Sequence, residues 1–289
     1  MRVERIHERP QEFKAALEFT AAETGFSARL IEKDYWCSLL LRELFTSANL
    51  PLVFKGGTLL SKAFAGFDRL SEDLDFTIST NDTVKRSTRS RNAKLVESDL
   101  ARVGRVLGLD WTEKWIGHNN STQHRGRLGY PSISGDNDSI LVEVSQREEV
   151  ICGAEYTPLR TLLLDPLFSE AVLPPFTVRA LSRKEAYAEK VRAALTREVP
   201  AIRDLYDLWQ GMRAGLIPHG DPSWLALTNR KCDRHDLSEA CSELRLEKFR
   251  RGLSADLRPV LRSGAMDEFP FPEAWAQLRG IHGKLIKHV

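Results

Sequence analysis

At 289 residues, with 42% hydrophobic and 28% charged side chains, the chain is long enough to bury a sizeable core as one large domain or two smaller ones. No apolar run approaches the ~18 residues of a membrane span, Met1–Arg9 carries no apolar signal core, and a net charge of +2 does not by itself announce a nucleic-acid binder. The four cysteines (Cys37, Cys152, Cys232, Cys241) are dispersed without a Cys-x-x-Cys pair, which argues against a zinc site and fits reduced thiols in a cytoplasm.

The segment from Gln11 to Leu44 reads as two helices divided near Thr24-Gly25, with Leu30, Ile31, Tyr35, Leu39, Leu40 and Leu44 at helical spacing. Pro51–Lys55 is short, apolar and partly β-branched or aromatic, as a buried strand is. Gly56 and Gly57 then permit a tight turn, and Thr58–Phe64 reads as a helix start, where backbone N–H groups favour an anion such as phosphate. In Ser71–Ile78, apolar Leu74, Phe76 and Ile78 alternate with Asp73, Asp75 and Thr77. Residues two apart in a strand share a face, so Asp73 and Asp75 project together, opposite the core. Two parallel carboxylates repel unless a cation sits between them, and Mg²⁺ takes one or two carboxylates plus waters and substrate phosphates. A phosphate-cradling turn beside a metal-binding Asp pair points to nucleotide chemistry.

Further along, Ser87–Leu107 reads as a long helix with Leu95, Val103 and Leu107 toward the core. Strands are expected at Leu109–Ile116, Arg127–Ile133 and Ile140–Gln146, with a polar loop from Gly117 to Gly126 and a turn at Gly135–Asp138. Between Lys85 and Arg127 ten Lys or Arg face four Asp or Glu. This stretch is either a surface that attracts a polyanion or an ordinary solvated helix face. Glu143 interrupts the apolar run Leu141–Val144, which costs free energy unless it is exposed, paired or metal-bound. It reads either as a third metal-side carboxylate or as the partner of a nearby arginine. Residues 162–179 carry three prolines and look like an extended connection. Helices follow at about Arg183–Thr196, Ala201–Ala214, Asp236–Arg251 and Pro272–Ile286. The expected fold class is α/β (α+β): a small mixed sheet with flanking helices over residues 1–175, and an all-helical half over 176–289.

Gly56-Gly57-Thr58 followed by Asp73-x-Asp75 resembles the nucleotidyltransferase signature of the polymerase-β-like superfold. The fuller wording, Phe54-Lys55-Gly56-Gly57-Thr58 and Leu70-Ser71-Glu72-Asp73-Leu74-Asp75-Phe76, is similar to the AbiEii/MenT family of bacterial nucleotidyltransferase toxins, usually encoded beside an antitoxin. Ile31–Trp36, Glu189–Arg192 and Arg203–Leu208 resemble further family motifs in the same order, so the resemblance covers roughly residues 25 to 210.

The resemblance implies a cytoplasmic toxin that uses Mg²⁺ to transfer a nucleotide from an NTP to an RNA acceptor, the tRNA 3′ end, and so blocks translation. It also implies a cognate antitoxin protein as partner. Asp73 and Asp75 would hold the metal, with Glu143 as the third carboxylate. Lys55, Gly56, Gly57 and Thr58 would approach the triphosphate. Ser71 would bond a phosphate or cap the strand start. Lys190 would point into a cleft completed by the helical half and meet the triphosphate, its alternative being a surface lysine. Asp204 and Asp207 share one helix face. One would position the base, the acceptor or Lys190, and the other would cap the helix or pair with Arg203. Arg192 and Arg197 would line the RNA or nucleotide path. Lys33 and Asp34 are either a contact near the nucleotide or a charged pair on a helix surface. His118 and His124 read as surface histidines. The rival functions are nucleotidylation of a protein or small molecule, and a non-catalytic interaction protein with a vestigial site.

Overall fold

Helices α1 (Pro10–Thr24) and α2 (Ala28–Ser47) part at Gly25, whose φ of 75° ends α1 in a conformation that only glycine adopts without strain. The computed structural model describes residues 5–47, 51–81 and 83–287. The chain divides into two units: residues up to Ala63 together with Leu70–Leu181, and Phe64–Arg69 together with the residues from Ser182 onward.

The first unit is built on a seven-stranded mixed sheet. Its strands are β1 (Val53–Lys55), β2 (Asp73–Thr77), β3 (Asp110–His118), β4 (Gln123–Pro131), β5 (Asn137–Ser145), β6 (Ala154–Leu159) and β7 (Phe176–Leu181), in the spatial order β3-β4-β5-β2-β1-β7-β6. β2 runs parallel to β5 and antiparallel to β1, while β1 runs parallel to β7. A short helical turn, α3 (Gly56–Leu59), leaves β1 and continues as a π turn to Phe64. α4 (Arg86–Leu107) follows β2. One face of the sheet carries the core: Phe54, Leu74, Phe76, Val142, Val144 and Leu128 are all buried, with Phe54 and Phe45 ringing Phe76 and Trp36 of α2 stacked on Tyr130.

The structure departs from the sequence reading where hydrophobic patterning is weak. The expected polar loop at 117–126 is mostly strand, with only residues 119–122 turning between β3 and β4. β3 is an edge strand largely open to water, so it shows no apolar alternation. β7 begins within the stretch expected to be an extended connection, and β6 lies between that stretch and the last expected strand, where no element was expected. β6 tolerates Pro158 because it is an edge strand, where a missing N–H costs no ladder bond. In α4 the inward positions are Ala93, Val96, Leu100, Val103 and Leu107, and Leu95 is 52% exposed rather than in the core.

The second unit is helical: α5 (Arg183–Thr196), α6 (Ile202–Arg213), α7 (Pro222–Cys232), α8 (Glu243–Gly252) and α9 (Phe271–Lys287). Ser182, Asp221 and Ser242 cap α5, α7 and α8 through their side chains. Ser242 starts α8 several residues after the expected Asp236. α7 lies in a stretch where no helix was expected. Its interior Trp224 donates its indole N–H to the Lys184 carbonyl, so burial costs no hydrogen bond. Tyr206, Trp209 and Phe269 form an aromatic cluster with ring centroids 5.1–5.5 Å apart. Gly211 lets α6 pass close to α5, because a Cβ there would lie 2.5 Å from the Tyr187 ring.

Candidate active site

The carboxylates of Asp73 and Asp75 lie on the sheet face opposite Leu74 and Phe76, both half-buried, as the alternation predicts. Cross-strand register places Lys55 opposite Asp75 on one side and Glu143 opposite it on the other, with Arg125 opposite Glu143. Directly opposed residues share a face, so a row of cation, acid, acid and cation crosses β1, β2, β5 and β4 at strand spacings of about 4.8 Å. Asp73 sits one pleat along from Asp75.

The glycine turn presses on this row. Gly56 has φ +80°, and a Cβ added there would lie 2.2 Å from Asp75 Oδ2. Only a glycine backbone can approach the carboxylate so closely. Thr58 is buried and donates its hydroxyl to the Asp73 carbonyl at 2.5 Å. Its one side-chain proton is therefore committed to locking the turn onto β2, which leaves backbone N–H groups of the turn as donors to an anion. Ser71 is half-buried, two residues ahead of Asp73 and just outside β2.

Three consecutive charged residues of α2 serve this scaffold and do not lie on a helix surface. Glu32, Lys33 and Asp34 are 2%, 6% and 3% exposed. Lys33 Nζ meets Glu72 at 3.4 Å and Asp138 at 3.2 Å, and Arg29 bridges the same two carboxylates. Asp34 accepts from Lys62 at 2.5 Å and from the Leu162 N–H at 2.9 Å, and Glu32 accepts from Ser132 and the Ile133 N–H. Burial works against the Asp138 charge, but the Ser139 N–H, Lys33 and Arg29 outweigh it and hold the carboxyl below its usual range. Glu72, between Ser71 and Asp73, is thereby pinned to α2.

In the helical unit, Lys190, Asp204 and Asp207 come together. Lys190 Nζ lies 2.6 Å from Asp204 Oδ1 and 2.9 Å from Asp207 Oδ2, with its side chain only 10% exposed. This excludes the surface-lysine alternative. An ammonium has three N–H donors. Two of these are directed to the Asp204 and Asp207 carboxylates. Burial alone would lower the Lys190 pKa, but Asp204 and Asp207 outweigh it and hold it above the ordinary lysine value. Asp207 behaves inversely: burial would raise it, and Arg69 and then Lys190 pull it below the usual carboxylate range. Both aspartates thus hold Lys190. Arg197 Nε stands 3.3 Å from Asp204 Oδ2. Arg69, which drew no attention in the sequence, grips Asp207 with two nitrogens at 2.6 and 2.7 Å.

The model of the nucleotidyl transferase AbiEii toxin family, type IV toxin–antitoxin system, matches residues 39–279. The chain belongs to this family. It is therefore a nucleotidyltransferase toxin of a type IV toxin–antitoxin system, which implies a nucleotide substrate and an antitoxin. Among solved structures it is similar to MenT4, a nucleotidyltransferase toxin from Mycobacterium tuberculosis H37Rv, with a TM-score of 0.56, 21% identity, and coverage of 94% of this chain and 98% of that one. That likeness is one of fold. An antigenic nucleotidyltransferase-like protein from Paracoccidioides brasiliensis aligns over 72% of this chain and 92% of its own at 15% identity and a TM-score of 0.39, which adds nothing to the fold assignment. No protein of curated function matches the sequence.

AbiEii-type nucleotidyltransferases typically use divalent metal ions. Among the described residues no three His, Cys, Asp or Glu side chains gather as a ready metal cage. The Asp73–Asp75 pair still fits Mg²⁺, which takes one or two carboxylates and completes its shell with water and phosphate oxygens. Glu143 is one strand away on the same face. Among the described residues no helix is long and apolar enough to cross a membrane.

The basic stretch of this family member is a surface. Lys85, Arg86, Arg91, Lys94, Arg105, Lys114 and Arg125 are exposed and carry no ion pair among the described residues. Arg89 instead turns inward onto the Val84 and Asn120 carbonyls, Arg102 pairs with Asp99, and Arg127 pairs with Glu113. His118 is half-buried, and His124 is buried with its ring stacked on Trp115, so neither is a simple surface histidine.

Proposed function

We infer that this toxin transfers a nucleotide from an NTP to an RNA acceptor, the tRNA 3′ end, with Mg²⁺ bound at Asp73 and Asp75. The observation that carries the reading is the half-buried Asp73–Asp75 pair on one sheet face, with the Gly56 backbone against Asp75. In the reaction the acceptor hydroxyl oxygen bonds to the α-phosphorus, the bond from that phosphorus to the bridging oxygen breaks, and pyrophosphate leaves. The hydroxyl proton passes to a base or to water.

When bound, Mg²⁺ neutralises charge on the phosphates and favours the attacking oxygen as an alkoxide. The protein does the rest by placement. Asp73 and Asp75 would hold the metal from a strand of the sheet, with Glu143, opposite Asp75 on β5, as the third carboxylate of the site. The N–H groups of Gly57 and Thr58 and the Lys55 ammonium face the polyphosphate, and Ser71 flanks the same edge. Lys190 supplies a fixed N–H donor and a positive charge to the triphosphate, held by Asp204 and Asp207. Its compact ammonium suits a single phosphate oxygen.

RNA is favoured over protein as acceptor by the exposed cations of α4 and the β3–β4 hairpin, which attract a polyanion although the chain is nearly neutral. Blocking a tRNA 3′ end would stop aminoacylation, which suits a toxin. The test is transfer of label from the four α-³²P NTPs, separately, to total bacterial RNA, to total protein and to buffer alone. Label is expected on tRNA-sized RNA. Label on protein with no RNA product would overturn the acceptor.

A further inference from the structure

We propose that Arg69 is a positioning residue for Lys190: it occupies both oxygens of Asp207, so that Asp207 holds the lysine in place without cancelling its charge. The guanidinium is 4% exposed and meets the carboxylate side-on, Nε to Oδ1 at 2.6 Å and Nη2 to Oδ2 at 2.7 Å. This two-bond fork is the strong form of the arginine–carboxylate pair. Asp207 Oδ2 also contacts Lys190, at 2.9 Å. One carboxylate oxygen is therefore shared between the two cations.

The charge balance gives Arg69 its role. The buried groups are Arg69, Lys190, Asp204 and Asp207, two positive and two negative. Without Arg69 the remaining three sum to −1, beside the ammonium assigned to receive a polyphosphate. Arg197 is too exposed, at 54%, to make up the difference. With Arg69 present, Asp207 is already satisfied, and the third N–H of Lys190 stays available.

Arg69 is itself fixed from both ends. Its backbone forms a β-bridge with Leu261, and the preceding residue, Asp68, accepts from the Tyr206 hydroxyl next to Asp207. Consecutive residues 68 and 69 thus dock on consecutive residues 206 and 207 of α6. Lysine at position 69 would restore the charge but could not make the fork, because its ammonium is a single point.

This inference rests on the reading of Lys190 as a triphosphate contact, and one set of variants separates the two. Arg69→Lys, Arg69→Gln, Lys190→Ala and the double variant Arg69→Lys/Lys190→Ala are compared for kcat and KM for NTP, using α-³²P NTP and total bacterial RNA, with thermal melts alongside. Arg69→Lys is expected to fold, to raise KM for NTP at least tenfold, and to add no further loss to Lys190→Ala. Arg69→Gln is expected to lose more, and where it does not fold the lysine variant carries the test. Wild-type KM and kcat in Arg69→Lys, with Lys190→Ala inactive, overturns the role of Arg69 and leaves that of Lys190 standing. Losses that multiply in the double variant also overturn it, since Arg69 would then act independently of Lys190. Full activity in Lys190→Ala overturns both.

Discussion

Replacing Gly56 by alanine tests the tightest contact in the candidate active site. The added Cβ would lie 2.2 Å from Asp75 Oδ2, 2.8 Å from its Cβ and 2.9 Å from its Cγ. Non-bonded carbon atoms settle near 3.5–4.0 Å, so the Asp75 carboxylate must retreat by roughly 1 Å. A misplacement of that size in a reacting geometry costs about 100-fold in rate. The backbone at φ +80° adds strain of about 1–2 kcal/mol for a residue with a Cβ. That strain alone lowers Tm by roughly 2–8 °C. Gly264 is the matched control: its φ is +81°, and an added Cβ would meet nothing within 4 Å. Gly264→Ala should therefore show the strain without the displaced carboxylate. Thermal melts and initial rates of α-³²P transfer to total bacterial RNA separate the two effects. Comparable melting losses with a rate loss confined to Gly56→Ala are expected. A Gly56→Ala protein that transfers label at the wild-type rate would refute the claim that Asp75 must sit against this turn.

Lys190→Ala should lose most activity and Lys190→Arg recover only part, because the bulkier guanidinium cannot take the place of an ammonium held between Asp204 and Asp207; unchanged NTP affinity and rate in the alanine variant would contradict its role. Replacing the exposed Arg86, Arg91 and Lys94 with glutamine should weaken RNA binding and reduce the salt slope by about 2–3, roughly 0.9 per lost phosphate contact, while filter binding that ignores both salt and substitution would count against this surface. Burial lowers the His7 pKa to about 4, against an ordinary value of 6.5, with its ring against Trp36 and Nδ1 on the Tyr35 hydroxyl. The unfolded chain then takes up a proton that the folded chain refuses, so stability should decline as pH falls from about 6.5 toward 4 and be fully present above that range. Chemical denaturation across this window should show a flatter decline in His7→Gln, and identical curves would contradict the assignment.

The parts of the site that were legible in the sequence are those written in local patterns. Period-two alternation placed Asp73 and Asp75 on one face, and the glycine pair marked the turn that approaches them. A spacing of three put Asp204 and Asp207 on one side of a helix. What the sequence could not convey is which distant groups meet. Lys33 and Asp34 look like a surface pair because adjacent charges on a helix usually are; they are buried because their partners come from Glu72, Asp138, Lys62 and the 161–162 loop, far away in the chain. Arg69 carries no periodic or motif signal, and its contact with Asp207 exists only once α6 lies against it. Thr58 has the composition of a phosphate donor, but its hydroxyl is spent on a backbone carbonyl. β6 and β7 carry little local strand signal because each is six residues long, with Pro158 inside β6 and Pro174 and Pro175 just before β7; pairing defines them, β7 with β1 and β6 with β7.

The central claim is that the Asp73–Asp75 pair supports transfer of a nucleotidyl group. The most direct measurement is a parallel incubation with α-³²P and γ-³²P NTP, Mg²⁺ and total bacterial RNA, for wild type, Asp73→Asn and Asp75→Asn, each checked for an unchanged melt. The account predicts that the α-label enters RNA with wild type alone, while the γ-label is released as pyrophosphate. Entry of the γ-label into the product, or undiminished α-label transfer by either folded variant, would contradict it.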